Sequence, residues 1–344
     1  MSTPAAKRII VVCLVLLLLI LLPTKIYPTL VLDVLLWGVF AMSIDLMLGY
    51  GGLLSFGQAA FWGAGGYTAA LLATRFHLVF PAAVLGALIF GLALAVPIGY
   101  LSIRTKGIYF AMVTLAFAEM VYYWANEWRD VTRGENGIQG VPRILPGLDL
   151  NNPLLFYYAC LPIVFICVAI AFRTVHSPFG HVLVAIRENE ARAQALGYAT
   201  ARYKLLAFVI SSGLASIAGG MSALAHGTAD LTIVDWTTSG EAVIMTILGG
   251  IGTLWGSMLG SAVVLLLQDW LSTSGKLTDA TGVVTGALFM AIVLGLRRGI
   301  WGTAALWLQR RGGEPEPEPL AQAIGAPPPA GVVSSPPTAV GEVR

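Results

Sequence analysis

"LGYGGLLSFGQAAFWGAGGYTAALL" occupies residues 48–72. Seven glycines stand here among apolar residues, together with Ser55, Gln58 and Tyr67. Glycine permits irregular backbone and lets helices approach closely. Irregular backbone at membrane depth is tolerated only against protein or along a cavity. Two readings follow. One is a broken helix beside a translocation path, with Ser55 and Gln58 offering hydrogen bonds. The other is plain helix packing. Both place the stretch inside a membrane protein, and the rest of the chain agrees.

The 344 residues are 57% hydrophobic and only 11% charged, against roughly 25% charged in a soluble domain. Mean hydropathy is +0.80. Soluble packing cannot hide that much apolar surface, so the class is an all-α, polytopic membrane protein. The apolar runs predict about ten transmembrane helices, near 9–27, 30–48, 53–73, 81–102, 108–125, 153–172, 205–225, 238–250, 254–271 and 279–296. The first follows Lys7 and Arg8 as a signal peptide would, but no A-x-A cleavage site comes after it, and we read it as a retained helix. The run 238–250 is too short to span untilted and reads as a half-helix or re-entrant segment.

Lys and Arg in short loops orient the spans. Lys7 with Arg8, Arg104 with Lys106, the segment 173–204, and Arg297, Arg298, Arg310 and Arg311 all fall on the inside. The charge-balanced loop 126–152 and the acidic loop 226–237 fall outside. Residues 1–311 then form one transmembrane domain with both termini cytoplasmic. Residues 312–344, rich in Pro, Glu and Ala, cannot bury enough apolar area to offset chain entropy and read as a disordered tail.

Several function classes drop out. No P-loop is present; Gly275-Lys276-Leu277 lacks both the hydroxyl residue and the upstream glycine. The chain is therefore expected to bind no ATP, metal or other cofactor itself. Cys13, Cys160 and Cys167 sit singly in apolar runs, and the four histidines are scattered. No catalytic constellation stands out, and nothing suggests nucleic-acid binding. Asp33, Asp45, Glu119 and Glu241 lie in or near apolar spans, where ionisable groups are costly. Glu119 is the deepest, and joins Ser55 and Gln58 as a candidate for the path. Gly252, Gly256 and Gly260 make two successive G-x-x-x-G steps and read as a helix-packing face. "LGYGG" at 48–52 and "LGGIG" at 248–252 hint at two related halves.

One polar stretch interrupts this apolar chain: "AIRENEARAQALGYATARYK", residues 185–204. Asn189 through Leu196 predict about two helical turns, and Gly197 is a plausible stop. The helix has too little apolar area to anchor in a membrane surface. It is either a docking knob for a groove on a partner or a solvated linker.

Four stretches together resemble a known family. They are "GYGGLLSFGQAAFWGAGGYTAALL", "RTKGIYFAMVTLAFAEMVYYW", "SPFGHVLVAIRENEARAQALGYATARYKLLAFVISSGLASIAGG" and "MTILGGIGTLWGSMLGSAVV". In order and spacing they are similar to the permease subunits of branched-chain amino acid ABC importers, closer to the LivM type than to LivH. The resemblance covers about residues 45 to 300. It implies a type II ABC importer-like permease fold in a bacterial inner membrane. It implies a LivH-like second permease, two cytoplasmic ATPases that use ATP and Mg, and a periplasmic binding protein as partners. It makes Arg187 to Gly197 a coupling segment, with Arg187, Glu188, Glu190, Ala193, Leu196 and Gly197 as ATPase contacts. Gln194 stands where the family commonly has Glu. The competing class is a secondary transporter of a small solute, with Glu119 or Asp45 carrying protons.

Overall fold

The computed structural model describes residues 27–273, and beyond them Pro23, Gly286, Met290, Gly299, Ile300 and Gly302 singly. Apart from those single residues and Tyr27, the expected helices 9–27 and 279–296 lie outside the described residues, as does the tail. In chain order the helices are α1 (Pro28–Asp45), α2 (Gln58–Arg75), α3 (Phe80–Ser102) and α4 (Ile108–Glu127). The single turn α5 (Arg129–Thr132), then α6 (Pro153–Val175), α7 (Pro178–Glu188) and α8 (Glu190–Ala195) follow. The last are α9 (Thr200–His226), α10 (Trp236–Gly249) and α11 (Leu254–Thr273). Six of them, α1 with its extension to Tyr50, α3, α4, α6, α9 and α11, are long and apolar enough to cross a membrane.

Local chemistry sets the helix starts. Pro28, Pro153 and Pro178 occupy first-turn positions, where the fixed φ suits a helix and the missing N–H costs nothing. Asn152, Ser177, Asn189 and Asp235 cap α6, α7, α8 and α10, each side-chain oxygen accepting from a backbone N–H of the first turn.

Burial separates two layers. The most apolar windows of α1 and α9 are 78% buried, whereas those of α3, α4, α6 and α11 are 33–39% buried. α1 and α9 are thus the central pair, and the others present an apolar outer face suited to lipid. The centre is close-packed because it is built from small residues. Ser216 of α9 donates to the Phe61 carbonyl of α2 at 3.0 Å. Side chains on Gly65 or Gly219 would collide with the backbone of Ser216 and Trp62 respectively.

Several expectations are refined. The predicted helix 53–73 does not begin until Gln58, because α1 runs into a π-turn over Leu46–Tyr50 and then an irregular stretch in which Gly52 has φ +66°. The run 238–250 does form a short helix, α10, whose 14 residues reach about 21 Å against a hydrocarbon core of about 30 Å. α9 starts at Thr200 rather than 205, since the Lys204 ammonium is paired and the helix can carry it. The polar segment holds a further helix, α7, ahead of the expected one. The fold also departs from purely helical. Strands β1 (Ile138–Gln139), β2 (Ile144–Leu145) and β3 (Leu148–Asp149) order the loop 126–152, and β1 pairs antiparallel with β4 (Thr228–Ala229). Arg143 of that loop donates to the terminal carbonyls of α9, at 2.8 Å from Nε to Leu224 and through its other arm to Ala225. These carbonyls have no partner within their own helix, and a cation suits that end of its dipole.

Candidate functional site

The segment between α6 and α9 folds as a helical hairpin. α7 ends at Glu188. Asn189 is extended (φ −156°, ψ 98°) and its side chain accepts from Arg192 N–H at 2.9 Å, which starts α8 in a new direction. α8 stops at Leu196, and Gly197 follows with φ +89°. That left-handed geometry favours glycine. The tip stands clear of the bundle: Leu196 is 72% exposed, and a side chain on Gly197 would meet nothing within 4 Å. Glu188 and Arg192 are exposed beside it, while Ala193 is buried against the bundle.

Glu190 and Arg187 face the other way. The Glu190 carboxylate takes Lys204 at 2.7 Å and Lys106 at 3.0 Å, and Thr200 donates to it at 3.3 Å. Burial by itself raises the Glu190 carboxyl, but the hydrogen bonds and charges of Lys204 and Lys106 outweigh it and hold the group below the usual carboxylate range. Gln194 donates to Thr200 at 3.0 Å and completes the cluster. Arg187 reaches into the bundle, and its guanidinium donates to the carbonyl of Gly49.

Gly49 belongs to a knot that ties distant parts of the chain. Asp45, fully buried at the end of α1, accepts from Gly252 N–H at 2.7 Å. The Tyr50 hydroxyl donates to the Gly252 carbonyl at 2.8 Å. The two similar pentapeptides, 48–52 and 248–252, therefore meet. A Cβ on Gly49 would lie 2.5 Å from Gly252 N and 2.7 Å from its Cα, so only glycine permits the approach. Gly252 itself lies in the turn between α10 and α11 with φ +80°. Gly256 and Gly260 are on α11, where side chains would strike the backbone of Gly249 and Met245 of α10.

Ser55 and Gln58 are buried where the irregular stretch becomes α2. Ser55 accepts from Gly57 N–H at 3.2 Å, whereas neither amide atom of Gln58 has a partner among the described residues. Glu119 is not brought to them. It stands exposed on α4, outside the buried stripe of Phe110, Ala111, Thr114, Ala118, Val121 and Ala125. Sequence reasoning missed the Asp45–Gly252 tie and the inward direction of Arg187 and Glu190. It also missed a cavity between α1, α2, α9 and α10. Among the described residues no group of His, Cys, Asp and Glu could hold a metal.

Residues 27–293 match the family model described as the permease component of the branched-chain amino acid transport system. The chain is 27% identical over 259 residues to the high-affinity branched-chain amino acid transport permease LivM of Escherichia coli, a match covering 67% of this chain and 60% of that protein. It is 28% identical over 272 residues to a probable LivM of Methanocaldococcus jannaschii, covering 68% and 77% of the two chains. LivH of Escherichia coli is 30% identical over a shorter 127 residues, 37% of this chain and 41% of that one. No solved structure matches.

Proposed function

Because the chain belongs to the family of branched-chain amino acid transport permeases, we propose that it is a transmembrane subunit of an ATP-driven importer for branched-chain or related amino acids. Its partners are a LivH-like second permease, two ATPases that bind ATP and Mg, and a binding protein that delivers substrate. The membrane is a bacterial inner membrane, with about ten helices in a type II importer fold and both termini inside. The observation that carries this reading is the hairpin of α7 and α8. Its tip, Leu196 and Gly197, is free to enter a groove, while its base is fastened to the membrane bundle through Arg187 and Glu190. A groove that closes on the tip when ATP binds would pull on Gly49, Gly252 and α9 together. Coupling then needs only that the closed ATPase dimer favour one state of the bundle over the other.

The test is co-purification. The chain is expressed with its candidate partners, unaltered and with residues 187–197 replaced by a Gly/Ser linker. An ATPase retained by the unaltered chain and lost by the replaced one is the expected result. Retention by both would move the docking site elsewhere. ATP-independent uptake with no ATPase bound would overturn the importer reading.

A further inference from the structure

The end of the bundle opposite the α7–α8 hairpin holds a cavity of about 420 Å³. α9 connects the two places. It begins at Thr200, in the Glu190 cluster, and ends at His226, in the cavity wall. Its 27 residues span about 40 Å. The cavity has the size of a small-molecule site.

Its two sides differ. One is aromatic: Trp37 of α1 and Trp62 of α2, with ring centroids 5.4 Å apart. Phe40 packs against both rings, tilted at 4.6 Å from Trp62 and edge-on at 5.9 Å from Trp37. The other side is the first two turns of α10, with Thr237, Thr238 and Glu241. Glu241 lines the cavity, is exposed, and makes no hydrogen bond or ion pair among the described residues. Asp230 is a second carboxylate, and one of its oxygens takes the Thr232 hydroxyl at 2.6 Å. His226 does not balance them. Its Nδ1 lies 3.0 Å from the Ser222 carbonyl and its Nε2 is 3.4 Å from Asp33, so it already has an acidic partner. No Lys or Arg lines the cavity. Glu241 and Asp230 leave two carboxylates on the side facing the indole rings, while the Arg143 guanidinium sits outside the lining on the Ala225 carbonyl.

A second observation lies beneath. Gln58 is four residues before Trp62 on α2, which places it one turn deeper on the same face. It is fully buried, and both its amide atoms lack partners. Buried polar atoms are rarely left so, because the lost water contacts are not replaced. An unpartnered polar group therefore lies one turn beyond Trp62.

We propose that this cavity binds the ammonium group of the transported amino acid, with Glu241 as its counter-charge and Trp37 and Trp62 as its aromatic wall. Gln58 extends the site by one turn of α2 beyond that wall. A carboxylate gives the ammonium charge-assisted hydrogen bonds, and an indole face attracts the same cation. The aliphatic part of the ligand lies along the tryptophans and Ile233. The ligand's name rests on the permease reading above; its charge rests on the cavity alone.

Three probes separate the ends of the molecule: L-leucine, leucinol, which keeps only the ammonium, and 4-methylpentanoate, which keeps only the carboxylate. The full chain, assembled with its partner permease in lipid nanodiscs, is titrated by equilibrium dialysis and tryptophan fluorescence. Leucine and leucinol are expected to saturate and 4-methylpentanoate not. Glu241→Gln should weaken leucinol about tenfold or more, and Glu241→Asp should restore part of the loss. Trp62→Phe should remove most of the fluorescence change. Unaltered leucinol binding in Glu241→Gln, equal binding of 4-methylpentanoate, or no saturable binding of any probe would each overturn the proposal. Failure of the importer reading looks different: leucinol binding that depends on Glu241, together with no ATPase retained in the co-purification above, would sink that reading and leave the cavity standing.

Discussion

Replacing Arg187 with Ala is the most informative change to the hairpin. It leaves the exposed tip intact and removes the donor to the Gly49 carbonyl. A hydrogen bond to a charged group contributes about 1.5–3 kcal/mol. Much of the Arg187 side chain is exposed, so the low end applies. At 1.36 kcal/mol per factor of ten, the ratio of seated to detached hairpin shifts by about tenfold. The assay is amino acid uptake per ATP hydrolysed by the assembled transporter in proteoliposomes. Arg187→Ala should keep its ATPase bound and hydrolysing while uptake per ATP falls, by at most that factor. Arg187→Lys should fall between, since lysine reaches as a point charge without the planar fork. Gly52→Ala supplies an independent perturbation. Its Cβ would lie 2.6 Å from the Arg187 Cγ at a residue with φ +66°, so it displaces the arginine without deleting it. If both variants transport per ATP as the unaltered chain does, the hairpin does not act through this contact and the reasoning fails.

Other outcomes can be measured in parallel. Glu190→Gln removes the charge that holds Lys204 and should lower stability by about 2 kcal/mol, seen as a lower midpoint in a thermal scan. In the unaltered chain the Glu190 carboxyl is held low, so its contribution is complete above the ordinary carboxylate value of 4.5 and is lost as pH falls through the lower folded value. A Glu190→Gln chain should lack that acid-side loss, and a loss of equal size in both would contradict the assignment. Gly260→Ala forces a Cβ into the Met245 carbonyl and should cost about 1–3 kcal/mol. Gly240→Ala, with nothing within 4 Å, should be neutral or slightly stabilising in its helix, and equal effects would refute the packing argument. With native cysteines replaced, Cys in place of Gly140 should react with an impermeant maleimide from outside, and Cys in place of Leu196 only after permeabilisation. The reverse pattern would invert the topology.

Much of this architecture was readable because lipid demands long apolar runs. α3, α4, α6 and α11 each lie within a few residues of the run that announced them. α8 was readable for a local reason, since Asn189 and Gly197 punctuate it. The hidden parts depend on pairs far apart in sequence. Thr200–Lys204 read as loop because lysine is costly near lipid, until Glu190, fourteen residues back, is seen to hold it. Gly252 matched a packing pattern, but G-x-x-x-G has the same letters whether a glycine serves a helix face or a turn. Asp45 meets its partner 207 residues away, and the wall of the cavity joins Trp37 to Glu241. Neither pairing leaves a local trace.

The glycine contacts between α2 and α9 carry one more consequence. Where Gly65 and Gly219 bring backbone against backbone, no rotamer can swing aside to absorb a slide. The two helices are geared without backlash: a displacement delivered at Thr200 must reach Trp62 undiminished or not occur at all. The unwound backbone at 51–57 and 250–253 is free of that constraint, which suits those two short stretches to be joints of a lever whose rigid arm is the glycine-lined pair.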